Sequence, residues 1–225
     1  MPRTEKGRAT DHQQASKTLR RVTGEDETMK YKTIVIDPPW DLDCSKSPKA
    51  LRNPDRKPSL QRESIKASLD YSVMDKDSIK SFPIDDYADE EALLFLWVVN
   101  KHLHLGFEIL DTWGFTYHTT LTWVKGQGFA LWSPIMTHTE HILFAWRGNF
   151  RKLAPKMGVM KNYLITNYQL KHSQKPARFY QVLRAWTPEP RIDIFARNAH
   201  EGFDGWGDEY VGEGPLAPYL KEKMR

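Results

Sequence analysis

Short apolar runs alternate with stretches of helical periodicity along most of the chain. The apolar runs predict strands over residues 31–36, 92–99, 115–125, 139–146 and 191–196. Helical spacing predicts helices over 75–82 with Asp75 as N-cap, over 102–113 closed by Gly114, and from Lys175 to about Trp186. No clear period is present between the third and fourth strands or over 150–172. Strands that alternate with helices predict an α/β protein whose mostly parallel, twisted sheet is covered by helices on both faces.

Two segments fall outside this alternation. Residues 1–30 are polar, carry charges of both signs and lack a sustained period, so we predict a flexible or partly helical N-terminal extension. Residues 31–225 are then expected to form a single domain. Within it, residues 42–70 are rich in proline, serine and lysine and predict a long loop, which in a compact domain is usually functional or disordered.

Basic side chains dominate this loop. They include Lys46, Lys49, Arg52, Arg56, Lys57 and Arg62, and the acidic side chains that oppose them are Asp43, Asp55 and Glu63. Such a cluster suits phosphate contacts in a nucleic acid. A solvated surface loop is the alternative.

Composition narrows the class of protein. The chain has 225 residues, of which 40% are hydrophobic, enough for one α/β domain with a full core. No apolar run approaches the roughly 20 residues of a membrane span, and residues 1–30 lack the apolar core of a secretory signal. A single cysteine cannot form an intrachain disulfide, so we expect a reduced, cytoplasmic setting. The formal net charge of +4 suits a polyanionic partner without identifying one.

The most specific chemical signal is the sequence Asp37-Pro38-Pro39-Trp40, directly after the first apolar strand. Each proline fixes its φ angle and removes a backbone N–H, so the turn is stiff and its prolines present carbonyls rather than donors. A flat group that donates two hydrogens, such as the exocyclic amine of a base, would suit these acceptors. Trp40 is expected to stack on that base rather than to belong to the core. The alternative is an ordinary proline turn with a buried tryptophan.

This arrangement matches what methylation of adenine requires. The adenine amine is a poor nucleophile because its lone pair is delocalised into the ring. Two acceptors that hold its hydrogens would favour a pyramidal nitrogen and stabilise the positive charge that develops as a methyl group arrives. Neither a metal nor a covalent nucleophile is needed. Ligands in such sheets bind outside the carboxyl ends of the strands, and Asp37 and Arg197 each follow a predicted strand.

The proline motif resembles the catalytic motif of the MT-A70 family of S-adenosylmethionine-dependent N6-adenine methyltransferases, which modify RNA or DNA. The resemblance covers about residues 31–210. Further matching blocks occur in the same order: Tyr71 with Met74, 92–97, 121–125, Glu140-His141, 147–149, 172–176, 194–197 and 205–209. The resemblance implies a Rossmann-like methyltransferase fold and a small member of the microbial or phage type.

The same resemblance assigns roles to single residues. The catalytic set would be Asp37, Pro38, Pro39, Trp40 and Tyr71, with Tyr71 lining the target-base pocket. Lys175 would meet the carboxylate of S-adenosylmethionine, which agrees with the preference of anions for a helix start. The other residues assigned to the cofactor are Ile36, Asp37, Arg197, Asn198, Asp208 and Glu209. The sequence departs from the family where Asp208 replaces the usual asparagine and over 198–200.

Other chemistries find less support. Neither the dinucleotide-binding nor the P-loop glycine pattern occurs, so NAD and ATP are not expected. His138 and His141 have no third ligand at useful spacing, which favours no metal site and a structural or pocket-wall role for His141. Cys44 has no evident base partner that would activate it as a nucleophile.

Adenine hides its amine inside a duplex, so the target base must be flipped out or already single-stranded. We expect the basic loop to grip phosphates, with a second contact surface formed by Lys152, Lys156, Lys161 and Lys171. DNA is favoured because the chain lacks the zinc fingers and long extensions typical of larger RNA-modifying relatives. RNA methylation, a non-catalytic nucleic-acid-binding subunit and methylation of another amine stay open, as does a homodimer or a partner subunit.

Overall fold

The computed structural model describes residues 29–40, 74–129, 135–153, 159–166, 174–207 and 210. Its strands are β1 (Tyr31–Ile36), β2 (Ala88–Val99), β3 (Thr116–Phe129), β4 (Thr137–Arg147), β5 (Tyr163–Thr166), β6 (Arg191–Ile194) and β7 (Asp204–Trp206). Its α-helices are α1 (Lys76–Lys80), α2 (Leu103–Thr112), α3 (Phe150–Leu153) and α4 (Ala177–Trp186). Two single 3-10 turns, Ile84–Asp86 and Asn100–His102, precede β2 and α2.

The described strands form one sheet in the order β5-β3-β4-β2-β1-β6-β7. Strand β4 runs antiparallel to β2 and β3, and every other neighbouring pair is parallel. The predicted α/β fold with a mostly parallel sheet is therefore confirmed.

Alternating side chains give the sheet two buried faces. On β1, Ile34 and Ile36 belong to one apolar cluster, whereas Val35 belongs to the other. We call these the first and the second face. Helix α2 contributes Ile109 to the first face, and helix α4 contributes Phe179 to the second. Helices thus cover both faces, as the strand and helix alternation predicts.

Most predicted elements are present, with shifted ends. Asp75 caps α1, where its side chain accepts from the Ser78 N–H at 2.8 Å, and Gly114 follows α2 with a φ of 70°. Strand β6 ends before the predicted residue 196 because Phe195 takes a φ of 62°, a left-handed conformation that is rare outside glycine. Strands β5 and β7 were not predicted, since four and three residues are too few to show a period.

Several predictions lie outside the described residues. They include the N-terminal extension up to residue 28 and the loop over 42–70. None of the described helices has the length and apolar character that crossing a membrane requires.

Candidate active site

Asp37 and Arg197 emerge at the same edge of the sheet. Strands β1 and β6 are parallel neighbours in which Ile36 lies opposite Ile194. The Asp37 N–H donates to the Ile194 carbonyl at 3.3 Å, which continues this pairing past the end of β1. Arg197 is close enough to act on the Asp37 carboxyl group electrostatically. The prediction that both residues follow strand ends is confirmed.

The proline turn after Asp37 is closed by its own backbone. The Pro38 carbonyl accepts from the Trp40 N–H at 2.8 Å, and the Pro39 carbonyl accepts from the Met74 N–H at 3.0 Å. These bonds fix the turn against the segment that leads into α1. Since each carbonyl oxygen has two lone pairs, both can accept one further hydrogen bond.

Trp40 does not offer an open face for stacking, and the expectation that it lies outside the core is wrong. Its side chain belongs to the first-face cluster, and the residue is 5% exposed. The indole N–H donates to the Trp97 carbonyl at 3.0 Å, and the ring stacks on His102 at 5.5 Å. The tight turn directs the indole inward, so Trp40 anchors the turn to the end of β2.

Lys175 connects the turn to the second face of the sheet. Its Nζ lies 2.8 Å from Oδ2 of Asp37 and 3.2 Å from Oε2 of Glu140. Glu140, on β4, also pairs through Oε1 with Lys125 on β3. The result is a continuous line of alternating charges that ends at Asp37.

Burial and pairing set the protonation of these groups. Burial acts to raise the pKa of Glu140, but the ammonium groups of Lys175 and Lys125 outweigh it and hold that pKa at about 2. Burial acts to lower the pKa of Lys175, and the carboxylates of Asp37 and Glu140 reverse this and raise it. The pKa of Asp37 is raised by burial, against the opposing effect of Lys175. Glu140 and Lys175 are therefore firmly ionised.

A second buried carboxyl group lies beside this line. Asp193, on β6, is 3% exposed and faces the second side of the sheet, where it forms a hydrogen bond with Tyr180 of α4. Burial raises the pKa of Asp193 to about 8, although the Tyr180 hydroxyl opposes the shift. His200 stacks on Tyr180 at 3.4 Å, and its Nε2 lies 3.9 Å from Oδ2 of Asp193. Burial lowers the pKa of His200 to about 4.

Glu140 and Asp193 received no role from the sequence. Glu140 shares the second face of β4 with Ile142 and Phe144, whereas Asp193 lies between Ile192 and Ile194, which point to the first face. An ionisable group on a buried strand face needs a partner or a function. That signal was present in the sequence, because each residue interrupts an apolar strand pattern.

Of the other residues assigned to the site from the sequence, some are among the described residues and the rest are not. The Ile36 side chain is fully buried in the core, so a contact with the cofactor would be made by its backbone. Asn198 is exposed directly after Arg197. Outside the described residues lie Tyr71, Asp208, Glu209, Lys46, Lys49, Arg52, Arg56, Lys57 and Arg62.

Lys152, one of the four lysines of the predicted second basic surface, does not lie at the edge of the sheet that carries Asp37. Lys152 follows the antiparallel strand β4 and pairs at 2.5 Å with Glu91, near the start of β2. Since Asp37 lies at the carboxyl end of the parallel strands, Lys152 is at the opposite edge of the sheet. Lys161 is exposed beside Tyr163, and Lys156 and Lys171 lie outside the described residues.

The two histidines on β4 are bound to protein groups. The Nε2 atom of His141 lies 3.0 Å from Oδ1 of Asn100, and its Nδ1 atom lies 3.3 Å from the Thr122 hydroxyl. His138 Nδ1 lies 3.4 Å from the Lys125 carbonyl. These contacts agree with a structural role for His141. Among the residues that the structure describes, no cluster of histidine, cysteine and carboxylate side chains could hold a metal ion.

The side chains around Asp37 fit a ligand that carries both an acid and an amine. Lys175 and Arg197 supply cations, and one of the three N–H groups of the Lys175 ammonium is left over after Asp37 and Glu140. Asp37 supplies oxygen atoms that can accept from an ammonium group or from sugar hydroxyls. S-adenosylmethionine has all of these complementary groups.

Comparison of the sequence with known proteins identifies the family of this chain. The sequence model of the MT-A70 family matches residues 31–209. The chain is 25% identical to the type II methyltransferase M.MunI of Mycoplasma sp, over 80% of this chain and 78% of that protein. It is 29% identical to the N(6)-adenine-specific methyltransferase METTL4 of Homo sapiens, over 80% of this chain but 38% of that protein.

A third relative, the N6-methyladenosine RNA methyltransferase MTA1 of Pyricularia oryzae, is 27% identical over 80% of this chain and 47% of its own length. The chain thus spans less than half of the human and fungal relatives and most of the Mycoplasma protein. The matched region contains Asp37, Glu140, Lys175 and Arg197. The family match covers most of the sequence, and the chain belongs to the MT-A70 family.

Proposed function

We propose that this chain transfers a methyl group from S-adenosylmethionine to the N6 amine of adenine in DNA, with the target base flipped out or single-stranded. The observation that carries this proposal is the turn 37–40, which presents the Asp37 carboxylate and two proline carbonyls at the carboxyl edge of the sheet, with Lys175 paired to Asp37. The similarity to relatives named as adenine or adenosine N6 methyltransferases supports the same reaction.

The turn would act on the amine through two acceptors. The Asp37 carboxylate accepts one N–H of the adenine amine, and a carbonyl of the proline pair accepts the other. Both bonds strengthen as the nitrogen becomes positively charged, so they stabilise the transition state more than the bound substrate. After transfer, the Asp37 carboxylate is the nearest base for the proton that the nitrogen loses.

Trp40 contributes differently from the sequence expectation. Because its indole is buried and bonded to the Trp97 carbonyl, it holds the proline turn rather than the base. An aromatic side chain for stacking would then come from another residue, for which Tyr71 is the candidate that the family resemblance supplies.

S-adenosylmethionine supplies an electrophilic methyl group on a sulfonium centre. We assign its carboxylate to Lys175 and Arg197, and its hydroxyl and amine groups to carboxylates at the same edge, including Asp208 and Glu209 by family resemblance. Lys175 is not an isolated cation, since it already pairs with Asp37 and Glu140. It can therefore link the bound methyl donor directly to the acceptor turn.

DNA is the proposed polymer because the match to the Mycoplasma type II methyltransferase extends over most of both sequences. RNA is the alternative, supported by the fungal relative named as an RNA methyltransferase. The basic loop over 42–70 would hold phosphates of either polymer beside the target pocket.

The test is transfer of a labelled methyl group to duplex DNA, single-stranded DNA and RNA of the same sequence. Digestion to nucleosides and mass spectrometry then identify the product. N6-methyldeoxyadenosine supports the proposal, whereas N6-methyladenosine in RNA alone replaces DNA by RNA. Binding of the methyl donor without transfer to any polymer would contradict the proposed activity of the chain on its own.

A further inference from the structure

Ion pairs connect Lys125, Glu140, Lys175 and Asp37 in that order, and Glu140 is at the centre of the row. Its Oε2 atom faces Lys175 at 3.2 Å, while its Oε1 atom pairs with Lys125. Each carboxylate oxygen thus serves a different lysine. The Glu140 side chain is 16% exposed and that of Lys175 is 11% exposed, so water screens these pairs only weakly.

Each of the two lysines also makes a cation–π contact with a tryptophan ring. Lys175 Nζ lies 4.7 Å from the centroid of the Trp97 ring, and Lys125 Nζ lies 4.9 Å from that of Trp123. The two indoles meet edge to face at 5.8 Å, and the Trp123 N–H donates to the Thr166 hydroxyl at 3.0 Å. Both ammonium groups are therefore held by a tryptophan ring as well as by Glu140.

Asp37 and Glu140 compete for the same ammonium group. If Lys175 had only Asp37 as a partner, the whole charge of the lysine would neutralise that carboxylate and weaken it as an acceptor. Glu140 attracts Lys175 from the other side, and Lys125 balances the charge of Glu140. The Asp37 carboxylate keeps part of its charge for another donor.

We propose that Glu140 is a positioning residue that shares the Lys175 ammonium with Asp37 and so preserves the acceptor strength of the Asp37 carboxylate toward the substrate amine. This inference rests on the proposed function. It gives Glu140 and Lys125 a role that does not follow from the motif 37–40 alone.

Several ionisable groups surround Asp37 and bear on any titration of its carboxyl group. They are Lys175 before α4, Glu140 on β4, Arg197 after β6, Asp193 on β6 and Tyr180 on α4. Glu140 raises the pKa of Asp37 by like-charge repulsion, and Lys175 lowers it. Changes to Glu140 and to Lys125 must therefore move this pKa in opposite directions.

The experiment compares Glu140→Gln with Lys125→Gln. In Glu140→Gln, Lys175 pairs with Asp37 alone, so the pKa of Asp37 falls and kcat drops by about 10- to 100-fold, with a much smaller change in the KM for the methyl donor. In Lys125→Gln, Glu140 attracts Lys175 more strongly, so the pKa of Asp37 rises. The pKa is followed by NMR of protein labelled at the aspartate carboxyl carbons, with Asp37→Asn assigning the signal.

The control is Glu108→Gln on α2, which removes another glutamate–lysine ion pair, the exposed pair with Lys80. This variant should leave both kcat and the Asp37 titration unchanged. Opposite shifts in the two test variants support the inference. Shifts in the same direction, or an unchanged titration and kcat in Glu140→Gln, would overturn it. The titration needs no substrate, so failure of the proposed methyl transfer is a separate result.

Discussion

Lys175 lies 2.8 Å from the Asp37 carboxylate, although Lys175 precedes α4 and Asp37 follows β1. This contact joins the segment assigned to the methyl donor with the turn assigned to the acceptor base. Removing either partner leaves a buried charge, whose cost exceeds the value of the pair itself. Effects on binding, activity and folding must therefore be measured separately at this pair.

Arg197 gives the cleaner test of the methyl-donor site. Arg197→Gln should weaken binding of S-adenosylmethionine by about 10-fold or more, because a charged hydrogen bond to the carboxylate contributes roughly 1.5–3 kcal/mol. Titration calorimetry measures the affinity, and the exposed Arg178→Gln on α4 is the matched control. Lys175→Met should also weaken binding, and it should lower stability because it leaves the Asp37 and Glu140 carboxylates without their shared cation. Equal affinity in the wild type and Arg197→Gln would remove Arg197 from the site.

Trp40 should behave as a core residue. Trp40→Ala is expected to lower the free energy of unfolding by about 3–5 kcal/mol, as for other buried aromatic side chains. Trp40→Phe should cost less, since it keeps most of the ring and loses the bond to the Trp97 carbonyl. Urea denaturation measures both. If Trp40→Ala kept the wild-type stability and lost only base binding, Trp40 would be a stacking residue and not a core residue.

Asp193 should make stability depend on pH. Its pKa is raised to about 8 in the folded protein from the ordinary 3.8, so the folded state holds this proton more tightly than the unfolded state. The free energy of unfolding therefore falls as pH rises from about 4 to 8, by at most about 1.4 kcal/mol per pH unit. Asp193→Asn cannot ionise, so its stability relative to the wild type should increase over this interval. Parallel stability curves would contradict the assignment.

The basic loop should control nucleic-acid binding through charge. Changing Arg52, Arg56 and Lys57 together to glutamine should weaken binding to DNA and flatten its salt dependence, by about 0.9 in the log–log slope for each lost phosphate contact. Fluorescence anisotropy at several salt concentrations measures this slope. Lys152→Gln, at the opposite edge of the sheet, is the control and should keep the wild-type slope. An unchanged slope in the triple variant would exclude the loop from the interface.

Some of the site follows from sequence because parallel strands share a polarity. Asp37 and Arg197 follow apolar runs, and the carboxyl ends of parallel strands meet at one edge. The proximity of Asp37 and Arg197 could therefore be predicted without any information on side-chain contacts. The N-cap at Asp75 is equally local, because one side chain and the backbone three residues later determine it.

Other features depend on tertiary contacts that a sequence does not reveal. Trp40 is buried because the Pro38 carbonyl accepts its N–H and turns the indole toward the Trp97 carbonyl. The link from Glu140 to Lys175 requires the position of β4 in the sheet and the path of the chain into α4. Strands β5 and β7 exist because longer neighbours pair with them, since their own sequences are too short to show a pattern.

The central claim is that the Asp37 turn activates the adenine amine, and Asp37→Asn tests it most directly. The substitution keeps the shape of the side chain and removes the carboxylate charge. The measurement is the single-turnover rate of N6-methyladenine formation by the wild type and by Asp37→Asn, on the polymer that the wild type methylates. We predict a loss of about 100-fold or more with the affinity for S-adenosylmethionine largely retained. Methylation at the wild-type rate by Asp37→Asn would contradict the account.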